Sequence, residues 1–226
     1  LTDFRTFLAS CVCLDDGFFA TSPKAAWRVG SVLHARRDDR FAAVRKAPVL
    51  CSRYEFEGLW ALPGGMVRMQ GGRHSFEEAL WFAVKDRALR EAGISNGGCS
   101  EYLLASHLGP VVTSYTAKGS RRHTLVTAMT CSVSAPLGLS AGDHSVDAAY
   151  WMETPPDWST LAPANRLILS HLAWNALSKT QQDQAMEPLL AAIAQCTEWA
   201  DEIGLAPAAA PWDDLANLSK WRMSWP

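Results

Sequence analysis

The chain has 226 residues, of which 48% are hydrophobic and 19% charged, enough for one domain with a sizeable core and appendages at its ends. A formal net charge of -2 argues against a general nucleic-acid or membrane surface, and no apolar run reaches the about 18 residues that a membrane span needs. The cysteines (Cys11, Cys13, Cys51, Cys99, Cys131 and Cys196) show no CxxC pair and no histidine at zinc-finger distance. They are therefore expected to be buried or inert thiols, without zinc or disulfides, in a reducing, cytoplasmic setting.

In chain order, residues 7–13 are short, apolar and rich in strand formers. They have no basic leader, so they read as a strand and not as a signal peptide. Asp15-Asp16-Gly17 supplies a turn from which 18–21 return as a second strand. Residues 31–35 and 41–44 pattern as a hairpin joined through the polar stretch 36–40. Pro63-Gly64-Gly65 combines a fixed φ with two permissive residues, and 66–69 come next as a short strand.

Residues 75–92 carry the best helical signal of the first half. Ser75 is the expected N-cap, Glu77 and Glu78 fall in the first turn, and Leu80, Ala83, Val84 and Ala88 make an apolar stripe. Gly93 is placed to end the helix. Strands are predicted over 102–108, 124–133 and 148–152, and helices over 161–177 and 187–203. The Ala/Pro run 206–211 reads as an extended linker, and the last piece holds Trp212, Trp221 and Trp225.

The stretch from Trp60 to Ile94 resembles the signature of the Nudix family. That signature is a glycine, five residues, a glutamate, seven residues, then Arg-Glu-aliphatic-x-Glu-Glu-x-Gly-aliphatic, preceded by Pro-Gly-Gly. Gly72, Glu78, Glu91, Gly93 and Ile94 fall at matching places, behind Trp60-Ala61-Leu62-Pro63-Gly64-Gly65. The resemblance covers about residues 31–177. It implies an α/β/α sandwich with a mixed central sheet over 29–177, a β extension over 1–28 and a helical extension over 178–226.

The departures from the signature bear directly on function. Asp86-Arg87 stands where the family has Arg-Glu, and Arg90-Glu91 where it has Glu-Glu. Positions 87, 90 and 91 are three and four apart and so share a helix face. In the family that face is implied to hold Mg²⁺ or Mn²⁺ through carboxylate oxygens, and the ion activates a water. Here a threefold negative face has become net positive, which weakens a divalent site. Glu91, Glu78 and Asp86 are the residues left to hold an ion. Asp86 can instead pair with Arg90, four positions on. Arg87 and Arg90 offer planar forks for a phosphate or carboxylate, against the plainer reading of a solvated face of Arg–Glu pairs.

Other candidates are suggested by position. His74, in the loop before the helix, has the chemistry of an acid or base near neutral pH. The resemblance implies a late loop that supplies a base, which singles out Asp143, His144 and Asp147. Trp60 and Trp27 precede the expected site and could stack on a ligand, as could Gly64 and Gly65 approach one closely. Arg121-Arg122-His123 is a small basic cluster.

Three functions are compatible with these residues. The first is a Nudix-type enzyme acting on a nucleoside diphosphate derivative or other phosphorylated small molecule with a reduced metal site. The second is a metal-independent biosynthetic enzyme whose acid–base work falls to Glu91, His74 or a late-loop residue, whereas Glu78 serves catalysis through the reduced metal site of the first. The third is a non-catalytic nucleotide or metabolite sensor. Relatives with comparable N-terminal strands imply a homodimer, and the short, weakly basic C-terminal piece argues against a DNA-binding module.

Overall fold

A computed structural model of the chain describes residues 12–14, 18–22, 25–48, 56–67, 76–95, 99, 103–104, 111–117, 120–134 and 138–203. Its strands are β1 (Val12–Leu14), β2 (Phe18–Ser22), β3 (Ala25–Arg37), β4 (Arg40–Lys46), β5 (Trp60–Ala61), β6 (Gly64–Met66), β7 (Leu103–Leu104), β8 (Val111–Ala117), β9 (Ser120–Ser132) and β10 (Val146–Glu153). The helices are α1 (Phe76–Ala92), α2 (Pro163–Ala173) and α3 (Lys179–Glu202), with single 3₁₀ turns at Trp158–Thr160 and Trp174–Ala176.

All described strands join one mixed sheet. Its centre is β3, which runs parallel to β9 from Trp27↔His123 to Arg36↔Ser132 and antiparallel to β2 and β6. β3 and β4 form the predicted hairpin, turning at Asp38-Asp39 with Asp38 at φ 54°, a conformation that aspartate tolerates better than most residues. The two strands pair only at the tip, through Arg36↔Phe41 and Arg37↔Arg40. Below it they part. β4 turns to β5 and β10, β3 turns to β6, and residues 60–66 occupy the fork.

α1 packs on β3, β4, β6 and β10, while α2 and α3 pack on each other and on β8, which gives the layered α/β/α arrangement. The core is continuous across these layers. Leu33, Phe41, Leu80, Val84, Leu125, Leu167, Leu189 and Trp199 are all buried in it. The expected boundary at 28/29 falls inside β3, and α3 lends side chains to the same core as the sheet.

Several boundaries differ from expectation. The helix predicted over 161–177 ends at Ala173 and tightens into a 3₁₀ turn at Trp174–Ala176. The helix predicted from 187 starts eight residues earlier, at Lys179, with Pro188 inside it. Ser178 and Gln181 form a capping box there, and that local signal outweighs the proline. β8 falls outside the predicted strands, because Val-Val-Thr-Ser-Tyr-Thr-Ala lacks strict alternation. β6 begins at Gly64, ahead of the predicted 66–69 strand, and of the predicted strand 102–108 the described residues are Leu103 and Leu104, which form β7. Residues 1–11, the Asp15-Asp16-Gly17 turn, Ser75 and 206–226 lie outside the described residues.

Of the tryptophans near the core, Trp174 is buried, whereas Trp81 and Trp151 are half-buried. Cys131 and Cys196 are buried, and burial pushes the Cys196 thiol up to about 12, as expected of an inert thiol.

His34 on β3 is 7% exposed, with its Nδ1 buried and unpartnered among the described residues. Burial, helped by Arg36, lowers its pKa from 6.5 to about 3. The unfolded chain thus binds a proton between pH 6.5 and about 3 that the folded chain refuses. Stability should be complete above pH 6.5 and fall as pH drops through that window. Urea midpoints across the window test this: His34→Gln should flatten the acid slope, and an unchanged slope in the variant would sink the assignment.

Candidate functional site

The fork between β3 and β4 fixes the Pro63-Gly64-Gly65 segment from both sides. Leu33 donates its N–H to Pro63 O at 2.8 Å, Lys46 donates to Leu59 O at 3.0 Å, and Leu62 N–H donates to the Asn165 side-chain oxygen at 2.9 Å. The backbone passes so close to β3 that a Cβ on Gly64 would lie 2.4 Å from Ser31 O and 2.7 Å from Val32 Cα. A Cβ on Gly65 would lie 2.4 Å from Arg87 Cγ. Gly64 is required by its close approach to the β3 backbone, and Gly65 leaves the room that the Arg87 stem occupies.

α1 brings the charged groups to this segment. Its buried stripe runs Leu80, Val84, Ala88 and then Glu91, so the helical period that packs the core also carries a carboxylate inward. Gly93, at φ 72°, ends the helix, with its N–H on Leu89 O at 2.9 Å. Glu91 is 2% exposed. Its Oε2 accepts the Gly64 N–H at 3.1 Å. Its Oε1 lies 3.5 Å from Lys46 Nζ, 3.4 Å from Ser145 Oγ and 3.7 Å from Arg87 Nη1. A carboxylate this deep is tolerable only because it is paired and hydrogen-bonded.

The loop before β10 closes the other side. Ser140 N–H donates to Ala92 O at 3.2 Å, and Gly142 sits where a Cβ would meet Arg90 O at 2.8 Å. Asp143 thereby reaches Arg87, with Oδ2 2.9 Å from Nη1, and its Oδ1 accepts the Ser145 N–H at 2.9 Å. Burial pushes the Asp143 pKa up. The Ser145 N–H and hydroxyl, together with Arg87 and His144, outweigh it and hold the carboxyl below its ordinary value. Arg87 thus spans two carboxylates, on the helix and on the late loop, while Lys46 approaches Glu91 from β4.

The predicted residues separate into two groups. Glu91, Arg87, Gly64 and Gly65 come together, and Asp143 joins them from the late loop. Arg90 does not share their environment: it points outward and pairs with Asp86 at 3.0 Å. Glu78 is exposed in the first turn of α1. His144 is almost fully exposed beside Asp143, and Asp147 pairs outward with Arg45 at 2.7 Å. Trp60 rests against Tyr150 with ring centroids 5.5 Å apart. His123 and Arg121 reach Glu202 at the end of α3 and so tie that helix to β9. His74 and the Trp27 side chain lie outside the described residues.

Lys46, Ser145 and Asn165 are not among the residues that sequence reasoning singles out. A lysine at a strand end and a serine in a loop have no distinguishing pattern. Asn165, a polar residue beside Arg166 in the first turn of a mostly apolar helix, carries the one signal that could have found it.

The donor set does not suit Mg²⁺ or Mn²⁺. Glu78 and Asp86 are two helical turns apart, about 12 Å along the axis, and Asp86 and Glu91 point to different sides of α1. Among the described residues no three His, Cys, Asp or Glu side chains converge as a metal site. The carboxylates that do approach one another, Glu91 and Asp143, already share a guanidinium.

Next to this cluster a pocket of about 110 Å³ opens between the fork, β9 and the start of α2. Lys46, Gly64, Gly65 and Asn165 line it together with apolar groups such as Phe56 and Val126. Ser31 contributes a buried hydroxyl with no partner among the described residues. An engineered apolar cavity of about 150 Å³ holds benzene, so this smaller pocket suits one compact head group.

No protein-family model matches the chain, and no curated protein matches it. Among solved structures, a MutT NUDIX hydrolase from Burkholderia pseudomallei is similar at 21% identity, over 63% of this chain and 95% of that one, with a TM-score of 0.42. A MutT protein from Methanosarcina mazei Go1 is similar at 18% identity, over 70% of this chain and 100% of that one, with a TM-score of 0.49. The NUDIX domain of Shewanella oneidensis NrtR, complexed with ADP ribose, is similar at 18% identity, over 70% of this chain and 94% of that one, with a TM-score of 0.45. At these values the likeness concerns the outline of the chain path, and the chemistry of the site is read from the residues of this chain.

The close approach at Gly64 has a measurable cost. Gly64→Ala meets backbone atoms that cannot rotate away, so it should destabilise by about 3 kcal/mol, the upper range for overpacking. A urea midpoint within error of the parent would refute the packing described for the fork.

Proposed function

We propose that the chain is a Nudix-fold protein that takes a small phosphorylated or otherwise anionic molecule, with nucleoside diphosphate derivatives as the leading class. It engages this ligand through side-chain cations and not through a carboxylate-bound metal. The observation that carries this reading is Lys46. Lys46 lines the pocket beside Gly64 and Gly65, and its ammonium lies 3.5 Å from Glu91, longer than the Arg87–Asp143 contact. An anion entering the pocket can take a further contact to that ammonium while it stays beside Glu91, without breaking the shorter Arg87–Asp143 contact. Asn165 already accepts from Leu62 through its oxygen, which leaves its amide nitrogen as a second donor at the pocket wall.

Metal-independent handling fits the same geometry. Glu91 is spoken for by Lys46, Arg87, Ser145 and Gly64, so it is poorly placed to hold an ion or to activate a water. The function supported best is therefore ligand binding, with any turnover independent of divalent cations.

The test is a thermal-shift and product screen over dinucleotides, nucleotide sugars, ADP-ribose and nucleoside triphosphates, with Mg²⁺ or Mn²⁺ and in parallel with EDTA. A binder at about 100 times its Kd adds about 2.7 kcal/mol of stability. The expected result is a shift that is the same in EDTA and absent in Lys46→Met. Cleavage that appears only with the metal, or a shift that survives Lys46→Met, would overturn the proposal.

A further inference from the structure

We infer that Arg87 and Lys46 stand in the place of a divalent ion, so that the Glu91–Asp143 pair is a cation site filled by the protein's own side chains and would become a metal site once Arg87 is removed. The inference deepens the metal-independent reading above and rests on it for its functional meaning, but its evidence is the geometry of the cluster.

Three separate segments converge on these charges. Glu91 comes from the end of α1, Asp143 from the loop before β10, and the Gly64 N–H from the fork. The Arg87 guanidinium touches both carboxylates, at 3.7 Å to Glu91 and 2.9 Å to Asp143, and its stem lies across Gly65. Both carboxylates are nearly buried, at 3% and 5% side-chain exposure, so their charges must be balanced locally. Lys46 and Arg87 supply two positive charges against the two negative ones. A divalent ion added to this neutral group would be an uncompensated charge in a poorly solvated place. Holding segments together through shared oxygens is also what a bound ion would do there, and the guanidinium does it without an exchangeable component.

The same charge balance predicts the effect of taking one cation away. Arg87→Gln leaves the two nearly buried carboxylates without the guanidinium they share, Glu91 with Lys46 and Asp143 with the exposed His144 as their remaining charged or chargeable neighbours. The remaining oxygens of Glu91, Asp143 and Ser145 form the kind of hard donor set that Mn²⁺ accepts. Arg87→Lys keeps the charge and should leave the pair unreceptive.

The experiment is a Mn²⁺ titration of the full chain, without organic ligand, monitored by the EPR signal of the free ion and by thermal melting in Mn²⁺ or EDTA. The parent and Arg87→Lys should leave the free-ion signal unchanged and melt alike in both media. Arg87→Gln should take up one Mn²⁺ per chain and regain stability with the ion. Uptake by the parent that is lost in Glu91→Gln or in Asp143→Asn would overturn the inference, as would a folded Arg87→Gln that takes up none. If Arg87→Gln fails to fold in EDTA, its folding is followed in Mn²⁺: folding restored by the ion supports the inference, and no folding in either medium overturns it. A failure of the ligand screen leaves these outcomes untouched, because no organic ligand is present.

Discussion

The burial of the Glu91 carboxylate is the constraint around which the rest of the site is arranged. A charge at 2% exposure has to be matched, and each of its partners comes from a different part of the chain: the fork through Gly64, β4 through Lys46, the neighbouring helical turn through Arg87 and the late loop through Ser145. Removing one partner leaves a buried charge unbalanced, which costs more than the pair gains when intact. The glycines, the loop contacts of Ser140 and Gly142, and the inward turn of Asp143 are all consistent with that single demand.

The shape of the sheet makes the demand possible. Because β3 and β4 pair only at their tip, a gap opens in the middle of the sheet that the segment 60–66 enters as two short strands. The backbone of that segment supplies the Gly64 N–H to Glu91 and walls the pocket. Had the hairpin zipped further, the segment 60–66 would have no room between β3 and β4, and the Gly64 N–H would not reach Glu91. Site and fold thus share one structural origin, the early divergence of two neighbouring strands.

Much of this is legible in the sequence, and the parts that are not have a physical cause. Helix α1, its glycine stop and the Pro-Gly-Gly entry are set by period, capping and backbone freedom, which are local properties. The hairpin at Asp38-Asp39 is legible for the same reason. The sharing of a helix face by Arg87, Arg90 and Glu91 is expected from spacing alone, yet Arg90 turns to Asp86 and solvent while Arg87 turns inward. Spacing fixes which residues are neighbours on a helix, but the packing partner decides where the buried sector begins, and that partner lies in distant β6 and the late loop. Lys46 and Ser145 are unreadable on the same grounds: each matters only through a contact made across the fold. The capping box at Ser178 is a local signal and so readable in principle, but Pro188 further along the helix points to a later start and masks it.

The parallel pairing of β3 with β9 has a consequence for how the chain reaches this structure. Trp27 and His123, nearly a hundred residues apart, are register partners, and the two strands stay paired for ten positions. Contacts this distant in sequence are slow to form because the intervening chain must be closed first. On a ribosome, β3 would leave the exit tunnel with β2 and β4 at hand and its β9 edge uncovered until the second half of the chain had been made. For that interval the backbone groups of that edge stay unpaired beside apolar side chains, Val29, Val32 and Leu33, that the finished fold buries. The order of synthesis therefore separates the central strand of the finished sheet from the strand that completes its second edge.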